Sequence, residues 1–212
     1  MGTTLVRTLM AGIVSLINFS GNAIPTPVFN GTPFFDENYK YADITLNRGR
    51  RILHVKTRID LEMQTVHFLS FNDVAAVMEK GSVKEVSYAD TTTQGIIFYK
   101  FRTGFPAFDG KTREHFYILL ADGNCSLLRS VEKKVTESKN VIQNSVIKDY
   151  ETFDYFYLFR KGEMKHLKKE KEFLLVELSD KQPQVEAFIE ENKLNMRSME
   201  HVAKLINYYN TL

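Results

Sequence analysis

Tryptophan is absent from this 212-residue chain, and cysteine occurs once. The lone Cys125 excludes an internal disulfide and any metal site built on a cysteine cluster. It reads as a small buried apolar residue. No surplus of one charge is present either, since 28 basic residues face 26 acidic ones for a formal +2. That balance gives no footprint for nucleic acid or an anionic membrane. The pattern Gly-x-Ser-x-Gly and the glycine-rich phosphate loops are missing, as are His-Glu-x-x-His and Cys-x-x-Cys. No cofactor and no catalytic residue is therefore assigned. The pair Glu190-Glu191 reads as helix solvation. Lys165, Lys168, Lys169 and Lys171 are interleaved with Glu163, Glu170 and Glu172, so they read as a solvated helix start.

What the chain does hold is apolar patterning, with 16 Phe and 10 Tyr, rings that suit strands burying at least one face. The N-terminus has the layout of a secretory signal peptide over residues 1–23. Arg7 supplies the basic region and Leu9 to Phe19 the apolar run. Gly21 and Ala23 supply the small-x-small exit. The run is too short for a transmembrane helix, and the mature chain is expected to have no membrane span. The competing reading is an N-terminal strand or buried helix of the fold. Pro25, Pro27, Gly31 and Pro33 then punctuate an irregular lead-in, pinned to the core by Phe29, Phe34 and Phe35.

Short strands follow in a β-rich region, 24–167. Tyr41–Leu46, Arg51–Ile59, Met63–Leu69, Phe71–Val77 and Ser82–Tyr88 alternate and are joined by turn signals, which predicts an antiparallel meander. In the second of these, Leu53, Val55, Thr57 and Ile59 are expected on one side. A polar break at 90–95 precedes the apolar strand Ile96–Arg102, and Thr103–Arg113 reads as a loop. Asp122-Gly123 between two apolar runs predicts a two-residue hairpin that pairs Leu120 with Cys125 and Ile118 with Leu127. Residues 137–149 read as a polar surface connection. Lys161-Gly162 predicts a second hairpin, with Phe159 facing Met164 and Tyr157 facing His166. From 168 to 212 the period becomes helical. Ser179 or Asp180 is expected to cap one helix and Ser198 the last, whose stripe runs through Met199, Val202, Ala203, Ile206 and Tyr209.

Few residues qualify as site candidates. Phe105 and Phe108 would form a contact surface if their loop exposed them. A tight turn at Asp60-Leu61 would set His54 opposite His67, with Glu62 near the turn, as two metal ligands.

The runs Gly31–Glu37, Val55–Asp60, Phe116–Leu128, Ser179-Asp-Lys-Gln, Asn192-Lys-Leu194 and Tyr208–Leu212 resemble a family of exported proteins of Bacteroidota-type bacteria. Members usually begin with a signal peptide, and the family carries no assigned activity, so the resemblance implies location and architecture alone. The resulting expectation is an α+β fold: a mainly antiparallel sheet or roll of short strands, followed by a C-terminal segment of two or three helices over 168–212. The expected role is a non-enzymatic structural or interaction component of the cell envelope, periplasmic, outer-membrane-associated or secreted, with an envelope protein as partner. The alternatives are a module binding a lipid, glycan or peptide through the sheet or the Phe105/Phe108 loop, a hydrolase, and a cytoplasmic location.

Overall fold

Among the described residues the alternating segments fold as eleven strands of a single sheet, followed by three helices. The structure, a computed structural model, describes residues 28–212 except 94 and 141–144. The signal-peptide reading of 1–23 lies outside the described residues. The strands are β1 (Val28–Asn30), β2 (Lys40–Leu46), β3 (Arg51–Asp60), β4 (Thr65–Leu69), β5 (Ala75–Val77), β6 (Val83–Thr92), β7 (Gly95–Arg102), β8 (Tyr117–Ala121), β9 (Cys125–Asn140), β10 (Ser145–Arg160) and β11 (Glu163–His166). The helices are α1 (Lys171–Glu177), α2 (Gln182–Glu191) and α3 (Met199–Tyr209).

The strand order is β1-β10-β9-β8-β7-β6-β2-β3-β4-β5, with β11 also on β10. This corrects the simple meander. β5 ends one meander at the edge of the sheet, and the chain then returns so that β6 pairs with β2. A second meander runs from β6 to β11. Among the described residues all strand pairings are antiparallel except that of β1, which runs parallel to β10 over Ile147–Asp149.

The sheet is rolled. In the strand order β3 and β8 are four spacings apart, about 19 Å if the sheet were flat. Yet the Phe116 N–H just before β8 donates to Gln64 Oε1, beyond the end of β3, at 2.8 Å. The inner face closes around Ala42, Ile44, Ile59, Val66, Val86, Phe101, Phe116, Ile118 and Val131. Further along that face, Cys125, Leu127 and Leu158 meet the helices through Leu174, Val185, Val202, Leu205 and Ile206. The three- and four-residue spacing of Val202, Leu205, Ile206 and Tyr209 explains why α3 buries that stripe. Asn210, just past α3, accepts from the Cys125 N–H at 2.8 Å and donates to its carbonyl at 2.8 Å. The helix end is thereby tied to the β8–β9 hairpin.

Several local expectations change. Leu53 is exposed rather than inward, because β2 and β3 slip register between Ala42 and Ile44 and His54 takes a positive φ of 53°. Asp43 Oδ1 accepts the His54 N–H at 3.0 Å and holds that bulge. The Asp122-Gly123 hairpin has a longer loop and another bulge, so Ile118 faces Arg129 and Ala121 faces Leu127. Residues 137–140 and 145–149 are not a surface connection. They extend β9 and β10, which pair over 16 residues each, so these two are not short strands. Neither Ser179 nor Asp180 caps α2: both lie in a 3-10 turn, Ser179–Lys181, and α2 begins at Gln182. Ser198 does occupy the N-cap position of α3, without a side-chain hydrogen bond. The Lys161-Gly162 hairpin forms in the expected register.

Candidate functional site

The outer face of the sheet divides into a covered part and an open part. The register places Tyr157, Leu128 and Tyr117 on this face at one end. The loop after β7 folds over them. Gly104 N–H bonds to the Arg113 carbonyl at 2.7 Å and closes the loop's base. At the tip, Phe108-Asp109-Gly110-Lys111 forms a tight turn with paired backbone hydrogen bonds of 3.1 and 2.9 Å. Asp109 and Gly110 both have positive φ, 52° and 74°, as a type I′ turn requires. Phe105 is 6% exposed and meets the Tyr117 and Phe159 rings edge-on. Phe108 meets Tyr157 and His166. The two candidate contact residues are thus the lining of the cover, because their rings bury more apolar area against Tyr117 and Tyr157 than solvent would allow.

Under this cover sits a cluster that the sequence did not signal. Lys111, its side chain only 7% exposed, pairs with Glu132 at 2.8 Å and with Asp109 at 3.4 Å. Its ammonium lies 4.9 Å from the Tyr155 ring and 5.4 Å from the Tyr157 ring. Burial alone would lower the Lys111 pKa, but its bonds to Glu132 and Tyr157 overcome this and raise it well above the usual lysine value. The Tyr157 hydroxyl donates to Asp109 at 2.6 Å and holds that carboxyl below its ordinary range. His115 Nε2 and Ser130 Oγ are 2.8 Å apart and buried. Burial, with Lys111 nearby, lowers the His115 pKa to about 4, so the imidazole is neutral at pH 7. The Tyr117 hydroxyl is buried and has no hydrogen-bond partner among the described residues.

Chemically this cluster is a clasp. A nucleophile needs access and a basic partner, whereas Ser130 is fully buried and His115 binds protons weakly. Lys111 is held protonated by two carboxylates, so it is no amine nucleophile. A cleft of about 410 Å³ opens beside the clasp, bordered by Gln64, Lys80, His115 and Lys134. Cys125 is equally unsuited to reaction, since burial pushes its thiol up to about 12.

The two histidines do not meet. His67 faces Arg58, not His54, because β3 and β4 pair Thr57 with Phe68 and Asp60 with Thr65. His67 lies 3.7 Å from Asp60 and edge-on to Phe34, whereas His54 stacks on Tyr41. Among the described residues no group of three or more His, Cys, Asp or Glu side chains is arranged to hold a metal ion.

The open part of the outer face spans β2, β6 and β7. Register puts Asp43 beside Ser87, Ser87 beside Lys100 and Ala89 beside Phe98. Phe98 is 79% exposed, Ile96 63% and Tyr41 54%. The His54 ring lies on Tyr41 at 4.3 Å and 7°, an arrangement the bulge in β3 makes possible. Together Tyr41, Asp43, Ser87, Ala89, Phe98 and Lys100 bound a trough of about 350 Å³. Alternation in β7 could have suggested exposed Phe98. Tyr41 could not be foreseen, since its place depends on β6 returning to β2.

None of the protein-family models, curated proteins or solved structures compared with the chain matches it.

Proposed function

We propose that the protein is a non-enzymatic interaction component of the cell envelope that binds its partner through the open outer face of β2, β6 and β7. The carrying observation is the exposure of Tyr41, Ile96 and Phe98 on one continuous face. Scattered apolar residues are ordinary on a protein surface, but grouped rings around a trough mark a contact site. The clasp under the neighbouring loop supports the non-enzymatic reading, because its ionisable groups are committed to one another. Export rests on the layout of residues 1–23 and on the family resemblance. A polar tight-turn loop in place of 103–113 would have left two faces available. With that loop closed, β2, β6 and β7 carry the role.

The test is photocrosslinking from the native envelope with a benzophenone amino acid at position 98. Crosslinks at 98, absent when the same group is placed at the solvated Glu191, are the expected result. Equal yields at both positions would remove the proposal. Residues 1–23 fused to a reporter should carry it out of the cytoplasm, and retention would remove the export reading.

A further inference from the structure

We propose that the trough between Tyr41 and Phe98 binds a neutral glycan, a ligand class that rests on reading this face as the binding site. Tyr41 and Phe98 stand on strands two spacings apart, about 9.5 Å. Between them β6 presents only Ala89 and Ser87 on this face. The result is a floor of small side chains between two aromatic walls. Sugar rings carry apolar C–H faces and polar hydroxyl edges. Aromatic walls match the faces, since a ring's negative face attracts polarised hydrogens. Ser87, Asp43, Lys100 and the Tyr41 hydroxyl supply donors and acceptors for the edges. The volume of about 350 Å³ lies in the range of small-ligand sites.

Charge selects among ligands. Asp43 is matched by Arg51 at 3.6 Å, Lys100 by Glu85 at 4.0 Å, and Lys56 by Asp73 at 3.2 Å. The rim therefore offers no surplus charge, which fits an uncharged ligand better than a phosphate, a carboxylate or an anionic lipid surface. The site is also partly preorganised. The His54 stack and the Lys56 ammonium, 5.9 Å from the Tyr41 ring, restrain that side chain before any ligand arrives.

The experiment titrates the full chain against cellohexaose and chitohexaose by calorimetry, alongside an array of neutral oligosaccharides of other configurations. Saturable binding of at least one is expected. It should be insensitive to added salt, and Phe98→Ala and Tyr41→Ala should each weaken it by about tenfold or more. Phe98→Ser, read by circular dichroism, controls for folding. No binding on the array, or binding unchanged in both ring variants, overturns the proposal. The failures are separable. If position 98 crosslinks a protein in the envelope while no oligosaccharide binds, the binding face stands and the glycan falls. If position 98 crosslinks nothing and no oligosaccharide binds, both fall.

Discussion

The covered and open halves of the outer face are built from the same materials and end differently. Both carry aromatic rows, Tyr117 and Tyr157 in one and Tyr41 and Phe98 in the other. The difference lies in the connections. The chain between β7 and β8 is long, and it lays Phe105, Phe108 and Lys111 back onto the sheet. β7 begins only three residues after β6 ends, too short a connection to fold back over the outer face, so Ile96 and Phe98 stay in solvent while Tyr88 and Phe101 on the inner face are buried. Aromatic content on a strand therefore says little about burial. Cover is decided by loop length elsewhere in the chain, which is why two similar rows differ so much in exposure.

Four measurements sharpen that contrast, and the effects fall in this order. Phe105→Ala should destabilise the protein by about 3–5 kcal/mol, as removing a buried ring does, read as the chemical denaturation midpoint. A loss near zero would mean the loop is not a cover. Acidification comes next. His115 has a lowered folded pKa, so the unfolded chain binds more protons between pH 6.5 and about 4. Stability contributed by neutral His115 is then complete above pH 6.5 and declines by about 3 kcal/mol as pH falls toward 4. Lys111, Glu132 and Ser130 are the groups around it, and His115→Gln should flatten the profile in this window. An unchanged profile in the variant would assign the acid loss elsewhere. Glu132→Gln leaves Asp109 as the remaining carboxylate paired with Lys111. It should cost about 1–3 kcal/mol, below the value for a fully buried pair because Glu132 is part-exposed. Phe98→Ala is the smallest, within about 0.5 kcal/mol. A larger loss on thermal melting would show that the open row is packed after all.

Much of the architecture was legible because it is local. The antiparallel sheet, the Lys161-Gly162 hairpin with Tyr157 facing His166, and the helical stripe of α3 all follow from period and turn chemistry. The misses are non-local or caused by a single inserted residue. The bulge at His54 reverses Leu53, and the bulge near Leu120 shifts the β8–β9 register. Neither leaves a signal in alternation. The polar stretch 137–149 reads as a loop because its side chains are solvated. Its backbone nevertheless pairs, since a two-stranded ribbon extending past the core needs no apolar residues to complete its ladder. The clasp of Lys111, His115, Ser130 and Glu132 was invisible because its members come from a loop and a strand that the fold alone brings together.

The strand order also bears on how the chain finds its fold. Most pairings join neighbours in sequence, and such contacts form early because short loops cost little entropy to close. Two do not. β2 meets β6 across the whole first meander, and β1 meets β10 across most of the chain, with Asn30 donating to Asp149 at 2.7 Å. The molecule can thus be assembled as two hairpin ladders that zip independently. The β2–β6 seam joins them, and β1 is laid on last as a parallel strand. Refolding should then show a fast phase from local ladders and a slower one governed by that seam, whose edges are the same strands that frame the open trough.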